Sequence, residues 1–172
     1  EAESEYKAAL RRSAQYGPAA INLAELYRRQ GRDADGEGVL RAAVAASPRD
    51  AGLHHALGLA LVRLGRRDEA VAELRQAAEL APEQSRYAYV YAVGLHSTGH
   101  AAQAMTVLKD ALQRHPDDRA ILGALVSFSR DAGDLTAALQ YAEQLAAITP
   151  DNRELAALID QLRRAAKKPD GR

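Results

Sequence analysis

The five histidines, His54, His55, His96, His100 and His115, are where chemistry would be sought first, because imidazole both ligates metals and exchanges protons near neutral pH. His96 and His100 stand four residues apart, a spacing that puts two imidazoles on one face of a helix as metal ligands. Gly99 falls between them, so the helix is expected to end before His100, and no nearby acidic residue completes a ligand set. Gly31-Arg32-Asp33-Ala34-Asp35-Gly36 has the flavour of a calcium loop, but it lacks the spaced oxygen ligands and the closing Glu and reads as an ordinary turn. The serines form no Gly-x-Ser-x-Gly elbow and no Ser/His/Asp grouping, and no glycine-rich loop is present to cradle a phosphate. Asp117-Asp118 follows Pro116 at an expected helix start, where capping accounts for the acids better than acid–base catalysis. No catalytic residue, cofactor or metal is expected, and the chain does not read as an enzyme.

Composition narrows the field further. The 172 residues carry 23 basic and 23 acidic side chains, so no net field draws nucleic acid or anionic lipid, and neither is expected as a partner. With no Cys there are no disulfides, thiol nucleophiles or thiolate metal sites, and the redox compartment stays undecided. No apolar run approaches the length of a membrane span. The chain opens at Glu1 rather than Met and reads as a piece of a longer protein.

Periodicity is the dominant signal. Pro48, Pro82, Pro116 and Pro150 recur every 34 residues, and Gly31, Gly65, Gly99 and Gly133 keep the same step. Two turn markers in register along the chain indicate an array of helical repeats rather than a globule around one central core. Between the markers lie amphipathic stretches such as Arg67-Asp68-Glu69-Ala70-Val71-Ala72-Glu73-Leu74, followed by a proline stop at Pro82. Expected helix caps are Asp50, Ser85, Asp118 and Asn152, and Pro18 suits a first helical turn.

The pattern resembles the tetratricopeptide repeat (TPR), in which each unit is a helix A, a tight turn and a helix B. Helix A carries the large, large-small, large pattern as Ala20, Leu23-Ala24, Tyr27; His54, Leu57-Gly58, Leu61; Ala88, Tyr91-Ala92, Leu95; and Leu122, Leu125-Val126, Ser129. Helix B carries small, large, small and proline as Gly36, Leu40, Ala43, Pro48, then Ala70, Leu74, Ala77, Pro82, then Ala104, Leu108, Ala111, Pro116. The last repeat departs, with Ala138, Ala142, Leu145 and Pro150, and Tyr141 supplies bulk one residue early. The resemblance implies an all-α fold, a right-handed superhelical solenoid of helix-turn-helix repeats with a C-terminal capping helix. The expected units are residues 1–16, the helix B of a truncated upstream repeat; TPR 1 at 17–50; TPR 2 at 51–84; TPR 3 at 85–118; TPR 4 at 119–152; a capping helix at 153–166; and a disordered tail at 167–172.

By the same resemblance, helix A lines a concave groove through its second, fifth, ninth and twelfth positions. The groove residues expected to meet a partner are Ile21, Glu25, Arg28, His55, Leu59, Val62, Arg86, Tyr89, Val93, His96, Ser127 and Arg130. Members that hold a terminal carboxylate for chaperone work use Lys and Asn at the fifth and ninth positions, whereas this chain has Ile21/Glu25, His55/Leu59, Tyr89/Val93 and Gly123/Ser127. That clamp is absent. What remains is an apolar patch of Leu59, Val62, Tyr89 and Val93 bordered by Arg28, Arg63, Arg86 and Arg130, the composition of a protein-binding surface. Its rival explanation leaves Tyr87, Tyr89 and Tyr91 alternating around one helix, with Tyr91 in the core. The expected function is a scaffold that binds a protein or peptide ligand. Two alternatives stand beside it: an accessory region of a larger enzyme, of the kind that follows multihaem cytochrome c-type domains in bacteria, and weak self-association through the N-terminal helix.

Overall fold

In the computed structural model the described residues are 1–13 and 15–166, and they form ten helices with no strand. These are α1 (Ala2–Arg12), α2 (Gly17–Arg29), α3 (Asp33–Ala46), α4 (Ala51–Arg63), α5 (Arg67–Leu80), α6 (Ser85–Ser97), α7 (Ala101–Arg114), α8 (Arg119–Asp131), α9 (Leu135–Ile148) and α10 (Arg153–Ala166). The tail expected at 167–172 lies outside the described residues. The chain divides into two compact units, Glu1–Tyr87 and Ala88 onward, with the division inside α6.

Each periodic marker has a local physical task. Gly31, Gly65, Gly99 and Gly133 all take positive φ, between 72° and 85°, which is the left-handed conformation that closes a helix cheaply only at glycine. The residue after each glycine donates its N–H back to a carbonyl five residues earlier: Arg32 to Tyr27 at 2.8 Å, and Arg66 to Leu61, His100 to Leu95 and Asp134 to Ser129 at 2.9 Å. The same turn is therefore built four times over. The prolines act on the residue before them. Ser47, Ala81, His115 and Thr149 all stop a helix with φ between −131° and −139° and ψ between 61° and 69°.

The caps follow the same period. Asp50 accepts from the N–H groups of Gly52 and Leu53, Asp118 from those of Ala120 and Ile121, and Asn152 from that of Leu155. Ser85, by contrast, is the first residue of α6 rather than its cap; the register of Asp50 and Asp118 falls on Gln84. The turn read over Gly31–Gly36 is also shorter than expected, because Asp33 already begins α3 and acidic residues suit a first helical turn. Asp134 caps α9 through the N–H of Ala137, a role the sequence reading did not assign.

In the first unit, neighbouring helices pack in chain order from α1 to α5, and α2 also meets α4. Leu40, Leu53, Leu57 and Leu61 fill the core, with Ala20, Ala24, Ala43 and Ala70 as the small partners that let helix axes approach. In the second unit α8 packs on α7 and α9, and α10 lies on α9. Leu155, Ile159 and Leu162 give α10 a single buried stripe, while its remaining faces carry Glu154, Asp160, Arg163 and Arg164 in the open. The departure of the last repeat resolves in packing. Where α5 uses Leu74 beside Gly58 of α4, α9 has the fully buried Ala142, and Val126 of α8 supplies the bulk in the same cluster. Tyr141 and Leu145 pack on that cluster half-buried.

Candidate functional site

The helix-A faces of the first unit enclose a cavity of about 280 Å³. Ile21 and Glu25 reach it from α2, His55 and Leu59 from α4, and Arg86 from the opening turn of α6; Gly52, Ala56, Arg63 and Tyr87 also line it, with Ala24 and Leu40 at its floor side toward the core. Five of the groove residues expected from sequence thus line one space. Arg28 and Val62 are not in its lining: Arg28 folds back onto Glu25, and Val62 is 49% exposed at the surface. Gly52 stands at a second helix-A position, which the repeat pattern already turns inward, whereas Tyr87 was absent from the expected set. Tyr87 follows Arg86 directly, and helical geometry brings its ring over the same opening, a cue that a list of one position in each turn passes over.

The charges around this cavity are mostly spoken for. Glu25 accepts from Nε of Arg28 at 2.7 Å and from Nε of Arg29 at 3.2 Å, and these bonds, led by Arg28, hold its carboxyl down at about 2. Arg63 donates from Nε to Asp33 of α3 at 2.7 Å. His55 is the exception. It is 8% exposed, and neither ring nitrogen has a hydrogen-bond partner. Its ring leans on Tyr87 with centroids 4.6 Å apart at a tilt of 37°. Burial, and secondly the positive charge of Arg86, push His55 down to about 4, so the ring is neutral over the physiological range.

His54, its neighbour in sequence, is also buried, but both of its nitrogens are used. Nδ1 meets Glu73 of α5 at 2.6 Å and Nε2 meets the Pro48 carbonyl at 3.0 Å. Two adjacent histidines therefore have opposite fates: one is a satisfied core residue, the other an orphan facing a cavity.

In the second unit, Tyr89 is half-buried on α6 and Val93 is 39% exposed. His96 stacks on Phe128 of α8, with centroids 3.9 Å apart and planes within 10°, and its Nε2 lies 3.6 Å from Asp131. Ser127 and Arg130 are exposed on α8. Tyr91 is half-buried rather than fully in the core. His96 does not share a helix with His100: α6 ends at Ser97, and His100 precedes α7 with its Nδ1 3.1 Å from the Thr98 hydroxyl. Among the described residues no three His, Cys, Asp or Glu side chains converge as metal ligands, and no helix is long and apolar enough to cross a membrane.

A family model described as tetratricopeptide repeat matches residues 1–128, and a second of the same description matches residues 95–162. No curated protein matches the chain. Among solved structures, YrrB, described as a TPR protein with an unusual peptide-binding site, aligns with a TM-score of 0.75 at 14% identity, covering 96% of this chain and 85% of that one. MamA from Desulfovibrio magneticus RS-1 aligns at 0.72 and 16% identity over 87% and 85% of the two chains. TTC0263, a thermophilic TPR protein of Thermus thermophilus, aligns at 0.69 and 21% identity over 94% and 89%. At such identities the likeness is one of fold. With the turn glycines, the proline stops and the helical hairpins all in register, and a family model spanning most of its length, this chain belongs to the tetratricopeptide repeat family.

Proposed function

We propose that the protein is a non-catalytic interaction scaffold that holds a segment of another protein against its helix-A faces. The observation that carries this reading is the cavity of the first unit, where Ile21, Glu25, His55, Leu59 and Arg86 come together. A concave wall that is apolar over Ile21 and Leu59 and rimmed by charge is the general form of a peptide-binding surface. The peptide-binding site ascribed to YrrB, which shares the fold, supports the same use of the scaffold. Arg28 and Val62 are assigned to this partner surface on the first unit, and Tyr89, Val93, His96, Ser127 and Arg130 to a partner-facing surface on the second. The test is partner capture by the immobilised chain with Leu59→Glu and Tyr89→Glu variants. A charge at either site is expected to abolish capture while the helical signal stays intact, and undiminished capture by a folded variant overturns the reading.

One observation favours a second role. A cavity of about 360 Å³ opens on the first unit between Leu10 of α1, Leu23 of α2 and Val39 of α3, with Lys7 and Arg11 at its edge, and α1 itself has no fully buried residue. Self-association through α1 would cover it. Light scattering over a range of concentrations decides the point: a mass independent of concentration removes it.

A further inference from the structure

His55 is a buried polar side chain that no element of secondary structure needs, and its ring faces the cavity with both nitrogens unpartnered. Leaving such a group unsatisfied is costly, about 1–3 kcal/mol, and a well-packed helix would ordinarily carry an apolar residue there. The charged and titratable groups around it are few. From α2 comes Glu25, already held by Arg28 and Arg29. From α4 itself come Arg63, held by Asp33 of α3, and His54, held by Glu73 of α5. From α6 come Tyr87, whose ring covers His55, and Arg86, to which no carboxylate among the described residues is paired. Among the described residues the cavity's one charge without an ion-pair partner is therefore a cation, Arg86, and beside it stand the unpartnered imidazole and the Tyr87 hydroxyl.

Resting on the scaffold reading above, we infer that this cavity is a proton-linked carboxylate site, in which an acidic group on the bound segment pairs with Arg86 and His55 takes up a proton to donate a second hydrogen bond to it. The coupling follows from the two causes that keep His55 neutral, burial first and the Arg86 charge second. An anion over Arg86 cancels the second and offers an acceptor for a ring N–H, so the protonated ring becomes the favoured form only in the complex. The proton comes from solvent, and the Tyr87 ring turns aside to open the nitrogen. Binding should then strengthen as pH falls, by up to about tenfold per pH unit for one proton taken up, until the ligand carboxylate itself titrates near pH 4.

The experiment follows the His55 ring by NMR as small probes are added to the full chain. N-acetyl-glutamate α-amide presents a side-chain carboxylate, N-acetylglycine a terminal one, and N-acetylglutamine α-amide no charge. The expected result is a rise of the His55 pKa by a unit or more with a carboxylate probe and none with the neutral amide; which carboxylate acts identifies the source. Arg86→Gln should weaken the effective probe at least tenfold, and His55→Phe should keep weak binding but remove its pH slope between about pH 6 and 4.5. A His55 ring that neither carboxylate moves, in a protein whose spectrum is otherwise native, overturns the inference. That outcome leaves the scaffold reading standing, since capture through Leu59 and Tyr89 is measured separately.

Discussion

A Cβ atom placed on Gly58 would stand 2.7 Å from Cγ of Leu74, so the α4–α5 hairpin closes at this distance only because the helix-A residue has no side chain. The contact sets two effects against each other. Helix propensity alone makes Gly→Ala favourable by about 1 kcal/mol. Overpacking a filled core costs about 1–3 kcal/mol, and Leu74, at 1% exposure, has no open space to move into.

Gly58→Ala is therefore expected to destabilise the protein, and Leu74→Ala to cost about 2–5 kcal/mol by leaving a cavity. The pair Gly58→Val with Leu74→Ala copies the arrangement of Val126 and Ala142 in the last repeat. It should cost clearly less than the two single changes added together, because each repairs the volume error of the other. Urea unfolding of the singles and the double checks this, and strict additivity would show that the two positions do not share one space.

The His54–Glu73 contact makes a second, separable prediction. Glu73→Ala leaves a buried imidazole nitrogen without its partner and should cost about 1–3 kcal/mol. His54→Leu added to that background should recover most of the loss, since the site then holds no polar group to satisfy, and Leu122 occupies the matching place in the last repeat. Thermal melts of the single and double variants distinguish a hydrogen bond that stabilises from one that only avoids a penalty.

His55 gives the fold an acid sensitivity of known sign. Its folded-state value of about 4 lies below the ordinary 6.5, so between those limits the unfolded chain binds the proton more readily. The contribution is fully present above pH 6.5 and is lost as pH falls toward 4. His55→Phe keeps a ring against Tyr87 and cannot titrate, so its melting temperature should fall less steeply over that window than that of the parent protein. Parallel slopes for the two proteins would exclude His55 as the group responsible.

The degree to which this architecture could be read in advance varied with the range of the interaction. Gly65 and Pro82 announced their roles because the constraints on them are local: a positive φ and a missing N–H act within one turn, whatever the rest of the chain does. Ser85 misled for the opposite reason. A good capping residue one position out of register is simply absorbed as the first residue of α6. The expected departure of the last repeat, read from Ala142 alone, became intelligible only when Val126 was seen in the same cluster, since volume is conserved across a helix pair and not along the sequence.

The same division runs through the candidate site. From its repeating residues the chain by itself determined that it folds as helical hairpins of the tetratricopeptide type, because periodicity and turn chemistry are written locally. Only the tertiary structure decided between His54 and His55. The two imidazoles are adjacent and chemically identical, yet a helix turns successive residues by roughly a quarter of a circle or more, so one ring meets Glu73 and Pro48 while the other meets Tyr87, Arg86 and an empty space.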